Sequence, residues 1–469
     1  MPPKADNSKA KKKTPEPEYR DDKGNPIPFE DYIQLLKRKY MAFCKNANVN
    51  GYNILLEKIK NSIDSDDKTL VGVPFTTLTI GGNVTPAQIP PTMAFIELYN
   101  KLTRVSFSGV CLTDEAMQSI GKCISITKTI RYMQFIDCKI SANGMKEFFN
   151  TVPLSGLQSF SIEGNEMSSE SIIGLGLMVE KYIQMCRQTA QAAIEEAAAK
   201  HQEELEKIER ENAAKKSKKK PKVWKAKKGE IIIFDKTVDD IFYSYFNLRS
   251  ISMISCGLNP LHAPAIGVFV EKVAPFLSQI IFRNQEFGAI GIGEVGSGLL
   301  RASQKLSQQM KTKADQQHPN ERETYTGNQL LLLEEMEFKQ CCIQEDQRNA
   351  YARFNEGILQ CGRLKTIVLT DNVLEEQINW IIPCLIMQKS LIKAVLPEKC
   401  NSLMVKDLSV KLREHRKAQD DWTKLAKKMA KEAKKAAKLA KKNKVPVQPV
   451  VAEAPSESTG SKPATATVE

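Results

Sequence analysis

Ile130-Arg131-Tyr132-Met133-Gln134-Phe135-Ile136-Asp137-Cys138-Lys139-Ile140 and, 27 residues on, Leu157-Gln158-Ser159-Phe160-Ser161-Ile162-Glu163-Gly164-Asn165-Glu166-Met167 decide how this chain is read. Each has apolar residues at its first, fourth, sixth and eleventh positions: Ile130, Met133, Phe135 and Ile140, then Leu157, Phe160, Ile162 and Met167. The step of two inside each segment is that of a strand with one buried face. Upstream the pattern is present as Leu102-Val105-Phe107-Leu112 and Phe75-Leu78-Ile80. Downstream it returns as Leu248-Ile251-Met253-Leu258, Leu277-Ile280-Phe282-Phe287, Leu333-Met336-Phe338-Ile343 and Leu364-Ile367-Leu369-Leu374. A degenerate ninth copy lies near Leu391 to Leu396. The first four starts are 27, 28 and 27 residues apart, a period long enough for one strand and one helix.

Eight positions after each start stand Asn83, Val110, Cys138, Asn165, Cys256, Gln285, Cys341 and Asn372. Six of the eight are Asn or Cys, small side chains that can turn inward and bond the backbone where a strand bends into its loop. On these residues the chain resembles a leucine-rich repeat protein of the ribonuclease-inhibitor type. Phe287-Gly288-Ala289-Ile290-Gly291 is similar to that family's strand-to-helix turn. The resemblance covers roughly residues 70–400 and implies an α/β leucine-rich repeat solenoid, a horseshoe with its parallel sheet on the concave face. Helical connections fit it: Thr113 is a plausible N-cap ahead of Asp114 and Glu115, and Leu374 to Lys389 reads as a helix interrupted by Pro383. Cys138, Cys256 and Cys341 are then expected as inward ladder thiols rather than metal or redox groups.

Two intervals break the period. Leu157 to Leu248 spans 91 residues, and from Ser168 to Glu211 it is rich in strong helix formers, so a helix is expected to overrun into a protruding rod before a Lys block. Leu277 to Leu333 spans 56 residues and ends in the polar stretch His318-Pro319-Asn320-Glu321-Arg322, read as an exposed loop. The expected organisation is a disordered basic N-terminus at 1–25, a helical cap at 26–70 and a first half of repeats at 71–187. A helical and Lys-rich insertion follows at 188–230. The second half of repeats, 231–401, contains an extended connection near 288–332. A basic helix at 402–444 and a disordered tail at 445–469 complete the chain. Within the cap, Phe29 to Lys45 and Tyr52 to Ile63 read as two helices shielding the first repeat's edge.

The 469 residues carry 68 Lys plus Arg against 55 Asp plus Glu, a net of +13. Residues 1–13, 215–228 and 424–444 hold +4, +9 and +9, which leaves the remaining chain at −9. A mildly acidic body therefore bears three polycationic arms. No apolar run of about 18 residues exists to span a bilayer, and Met1-Pro-Pro-Lys-Ala-Asp lacks the apolar core of a secretory signal. With eleven cysteines, the expectation is a cytoplasmic protein with reduced thiols and no membrane partner.

Chemistry-bearing motifs are scarce. His201, His262, His318 and His415 are scattered, metal-site spacings are missing, and no nucleophile elbow or phosphate loop occurs. Gly291-Ile292-Gly293-Glu294-Val295-Gly296 fits GxGxxG, but its preceding strand belongs to the ladder, where no switch point makes a nucleotide crevice; glycines at a strand-to-helix turn suffice. The expectation is a non-catalytic protein with no cofactor and no metal.

Partner-binding candidates are of two kinds. On the sheet's open face stand Arg104, Tyr132, Gln134, Arg283, Glu335 and Glu337, within a surface read as small, neutral and hydroxyl-rich. On the basic arms stand Lys218, Lys219, Lys220, Lys222, Trp224 and Lys225, and then Lys424, Lys428, Lys431, Lys435, Lys438 and Lys442 beside an Ala-rich seam. That seam is too weakly apolar for membrane insertion. Lysine without arginine in 215–228 suits diffuse polyanion attraction rather than base reading.

The layout of helical cap, Lys-rich insertion and Lys/Ala helix resembles leucine-rich repeat proteins of ciliary and flagellar axonemes. That resemblance implies a cytoskeletal scaffold in the cytoplasm, on tubulin and other axonemal proteins. Two alternatives stay open: a repeat protein associated with RNA or chromatin, and a GTPase regulator resembling the Ran GTPase-activating protein. That regulator's acidic tail contrasts with the basic one here.

Overall fold

A computed structural model describes residues 19–67, 69–151, 156–213, 223–224, 232–316, 331–343, 347–374, 377–398 and 402–443. The N-terminal arm to residue 18, the lysines of 215–222 and 225–228, the loop 317–330 and the tail from 444 lie outside it.

The chain is an α/β protein built on one nine-stranded, all-parallel sheet. Its strands are β1 (Thr77–Gly81), β2 (Arg104–Ser108), β3 (Tyr132–Ile136), β4 (Ser159–Glu163) and β5 (Ser250–Ile254). They continue as β6 (Gln279–Arg283), β7 (Glu335–Lys339), β8 (Thr366–Val368) and β9 (Lys393–Val395). Every strand pairs with its sequence neighbour, so the spatial order is simply β1 to β9. A sheet laid down one strand at a time, with a helical return each time, is compatible with a solenoid-like α/β fold.

The returns include α3 (Ile89–Leu98), α4 (Asp114–Ile126), α5 (Ala142–Thr151) and α6 (Ser169–Ala213), then α7 (Val238–Tyr245) and α8 (Ala263–Val273). They go on with α9 (Gly288–Gln316), α10 (Arg348–Leu359) and α11 (Ile378–Met387). Ahead of the sheet stand α1 (Phe29–Asn46) and α2 (Asn53–Ile63), and after it α12 (Ser402–Asn443). Among the described residues that makes twelve α-helices. No helix there is long and apolar enough to cross a membrane.

Register follows the apolar spacing. Val105 pairs with Met133, Met133 with Phe160, Phe160 with Ile251, and Ile251 with Ile280. Two residues on, Phe107, Phe135, Ile162, Met253, Phe282 and Phe338 form a second row, all fully buried. Helices close over those rows. The Phe148 ring of α5 stands edge-on to Phe135 at 5.3 Å and stacks on Phe160 at 5.7 Å. Phe354 of α10 meets Phe338 edge-on at 5.7 Å. Such edge-on and stacked ring pairs add roughly 0.5–1.5 kcal/mol each beyond area burial. Thr113 caps α4 by accepting the Ala116 N–H at 3.3 Å, and Pro383 lies inside α11.

Both long intervals are single connections. β4 pairs directly with β5, Ser159 opposite Ser250, so the 91 residues between Leu157 and Leu248 hold no further strand of the sheet among those described. Instead α6 runs for 45 residues, and none beyond Ala190 is fully buried. The remaining 190s-to-213 segment extends about 35 Å at 1.5 Å per residue. Likewise β6 pairs with β7 across the second interval, which α9 fills for 29 residues. The polar stretch at His318 lies outside the described residues.

At the sheet's first edge, the Tyr52 hydroxyl accepts the Gly81 N–H at 2.9 Å and also lies 3.1 Å from the Gly81 carbonyl. An otherwise unpaired edge strand is thereby partly satisfied and shielded from pairing with another chain.

The GxGxxG glycines are placed differently from the expectation of a strand-to-helix turn. Gly291, Gly293 and Gly296 are inside α9, not in the turn before it. Gly293 and Gly296 permit close approach of α10, and Gly291 makes room for the Phe287 ring: a Cβ on Gly296 would fall 2.2 Å from the Arg353 carbonyl oxygen, and one on Gly357 would fall 2.3 Å from that of Gly296.

Candidate interaction surfaces

After each of β1 to β8 the backbone turns through a left-handed residue. Gly82, Gly109, Asp137, Gly164, Ser255, Asn284, Gln340 and Asp371 all have φ between 50° and 67°. That turn aims the next side chain inward, beneath the sheet's end. Asn165 Oδ1 accepts the Cys138 N–H at 2.9 Å, and its Nδ2 donates to the Glu163 carbonyl at 2.7 Å. Gln285 takes the Cys256 and Leu258 N–H groups and donates to the Met253 carbonyl. Asn372 takes the Cys341 N–H at 2.7 Å and donates to the Phe338 carbonyl at 2.6 Å.

The cysteines alternate with these amides and donate to nearby carbonyls, Cys138 to Ile136 and Cys256 to Ile254. Burial pushes the Cys256 thiol up to about 12 and raises Cys138 and Cys341 as well. Since the thiolate is the reactive form, these thiols are poor nucleophiles. Asn83 departs from the expectation. It is exposed, because the Gly81-Gly82 turn sends Val84 inward in its place.

Brief alkylation of the folded protein followed by peptide mapping is expected to modify the exposed Cys111 and Cys342 and to spare Cys138, Cys256 and Cys341. Labelling of the inner three at the same rate would show that the ladder is not formed.

The open face of the sheet carries the expected polar residues, but they pair with one another. The Arg104 guanidinium lies 4.9 Å from the centre of the Tyr132 ring. Gln134 donates to Glu163, a residue that counting inward and outward positions did not single out. Arg283 grips Glu337 through two nitrogens, at 2.5 and 2.9 Å. Glu337 is 7% exposed, and with Glu335 and Glu163 nearby it holds the guanidinium more firmly protonated than usual. Ile281 faces the same side between Gln279 and Arg283, and Val368 stands beside Glu337. On β6 and β7 the face is therefore ionic and apolar rather than neutral and hydroxyl-rich. The hydroxyl reading holds for the first half, where Ser106 donates to Thr79.

Arg283→Ala should cost about 2–3 kcal/mol in unfolding experiments, below the loss for a fully buried pair because the arginine is half-exposed. A loss under 0.5 kcal/mol would mean the pair adds nothing to the sheet.

Trp224 is not presented to solvent as a stacking platform. Its indole N–H donates to Glu204 at 2.7 Å, and its ring stands edge-on to His201, which stacks on Phe234 at 4.0 Å. The returning chain is thus clasped onto α6 by three aromatic rings. Lys218, Lys219, Lys220, Lys222 and Lys225 lie outside the described residues. On α12, Lys424, Lys428, Lys431 and Lys435 are exposed; Lys438 and Lys442 continue the helix, with side chains outside the described set. A cavity of about 600 Å³ opens between α5 and α6, floored by Phe149, Ile173 and Met178 and rimmed by Lys146 and Lys181. Among the described residues no group of three His, Cys, Asp or Glu side chains is placed to hold a metal.

Fold and surfaces together define a class: an α/β array of consecutive strand–helix units with a polar sheet face and lysine-bearing helical extensions. No protein-family model matches the chain, and no curated protein matches it.

Proposed function

We propose that this chain is a non-catalytic interaction scaffold, a leucine-rich repeat solenoid of the ribonuclease-inhibitor type held on an acidic protein surface by its Lys-rich extensions. The observation that carries the repeat assignment is the amide ladder. Asn165, Gln285 and Asn372 each reach back to the backbone of the preceding unit from the same position after a strand. That is the role the family gives its Asn and Cys position. Support for the attachment role comes from α12, whose described lysines are all exposed and are matched by few acids. The favoured partner is the microtubule lattice with its acidic tails, within a cilium or flagellum. The nucleic-acid alternative loses the aromatic of the 215–228 Lys block, because Trp224 is engaged with Glu204 and His201.

Co-sedimentation with microtubules across a salt series, with and without excess RNA, tests the reading. Binding should survive RNA competition, weaken as salt rises and fall at least tenfold when 424–444 is deleted, while the folded signal of the sheet is unchanged. Complete displacement by RNA would favour the nucleic-acid alternative. A tagged copy confined to the nucleus would overturn the cytoskeletal one.

A further inference from the structure

Between Trp422 and Ala436 the lysines of α12 do not surround the helix. From Trp422 to Ala436 there are six, Lys424, Lys427, Lys428, Lys431, Lys434 and Lys435, against the single acid Glu432. At 100° per residue all six fall within an arc of about 120°. Trp422, Leu425, Ala426 and Met429 fall on the opposite side, at positions i, i+3, i+4 and i+7. These four are the spacing by which an amphipathic helix seats its anchors in a groove. The three large ones are open to solvent: Trp422 is 61% exposed, Leu425 46% and Met429 51%. A tryptophan and a methionine left uncovered on one face are costly to hydrate, and tryptophan is the commonest anchor of protein interfaces. A helix needed only to attract polyanions would gain nothing from that face.

We infer that residues 422–436 form a helix-in-groove ligand whose partner is a protein with an apolar groove rimmed by carboxylates. The inference rests on the reading of α12 as an attachment arm and gives its apolar face a second partner beside the acidic surface that the lysines meet. Charge complementarity selects this occupant. Lys427 and Lys434 border one side of the apolar strip and Lys428 and Lys435 the other, so acidic rims on both walls of a groove would be met together. A second copy of the same helix would bring like charges together. A lipid surface would need bulkier apolar residues than the alanines that fill the rest of the strip.

The probe is calmodulin, an acidic protein whose apolar groove opens when calcium binds. Calcium makes it less negative, so charge attraction alone predicts weaker binding in calcium, whereas groove binding predicts stronger. The full chain is titrated with labelled calmodulin, in calcium and in chelator, and anisotropy is read. Affinity is expected to be at least tenfold higher in calcium. In the triple variant Trp422→Gln, Leu425→Gln, Met429→Gln the calcium-dependent gain should vanish, while salt-sensitive binding to microtubules stays within twofold. Equal or weaker binding in calcium would overturn the groove, as would an undiminished gain in the triple variant. In either case the polyanion reading of the lysines is untouched. Loss of microtubule binding by a charge-reversed Lys424→Glu, Lys428→Glu, Lys431→Glu, Lys435→Glu chain judges that reading separately.

Discussion

Gly296→Leu is expected to separate α9 from α10 and to cost 3 kcal/mol or more, roughly, of unfolding free energy. Even the first carbon of a side chain there would fall 2.2 Å from the Arg353 carbonyl oxygen and 2.4 Å from the Phe354 Cα. Both are backbone atoms, so no rotamer change relieves the clash, and the whole helix must retreat. Gly357 faces Gly296 from the other helix, so the two are a matched pair. On the next interface a Cβ on Gly298 would meet the Gly267 carbonyl at 2.3 Å. Gly174→Ala on α6 is the control. The Phe149 ring edge at 3.3 Å must give slightly, which offsets part of the about 1 kcal/mol of helix propensity that alanine gains, so the change should not destabilise by more than roughly 0.5 kcal/mol. Urea midpoints followed by circular dichroism make the comparison, and amide exchange should show lost protection confined first to α9 and α10. Equal midpoints for Gly296→Leu and Gly174→Ala would mean the helices are not in contact where the glycines place them.

Asn372→Leu should be nearly as damaging although the two side chains share the same branched outline of heavy atoms. The amide satisfies the Cys341 N–H and the carbonyls of Phe338, Leu369 and Thr370, all buried or nearly so. Leucine removes their partner without opening a path for water. Each buried backbone group left unpaired costs about 1–3 kcal/mol, so a loss near 3 kcal/mol is expected after partial relaxation. Asn83→Leu, at the same position in the first unit, should change stability by less than about 0.5 kcal/mol, since Asn83 is exposed. Comparable losses for the two would show that the position is not governed by the ladder.

Those two residue types differ in how readable they were. The ladder was legible because spacing alone places Cys138, Asn165, Cys256, Cys341 and Asn372 eight residues into each unit, and small polar side chains between buried apolar ones have few other uses. The helical place of the α9 glycines is not legible, because Gly293 and Gly296 look the same in a turn as in a helix that must be approached closely. Only the neighbouring helix, with Ala350, Arg353 and Phe354 against it, distinguishes the two. The left-handed turns were hidden for a related reason. Gly109 and Gly164 hint at them, but Ser255 and Gln340 occupy the same conformation because hydrogen bonds on either side hold them there. The Glu163–Gln134 and Arg283–Glu337 contacts join residues on adjacent strands, so they depend on which strands are neighbours as well as on the face.

Local pattern in the chain dictates the α/β class, the register of the strand rows, the helical excursion after β4 and the segregation of positive charge into arms, whereas the 288–332 connection, read as an extended loop, is helical as far as Gln316. The dictated features follow from local periodicity and composition, which are properties of a single unit of chain. Tertiary structure alone decided that β4 joins β5 across 91 residues, that Trp224 is clasped rather than displayed, and that helices at Gly296 and Gly357 touch backbone to backbone. Each of those depends on packing between segments distant along the chain, where shape and satisfied hydrogen bonds select one arrangement from many that the same local pattern allows.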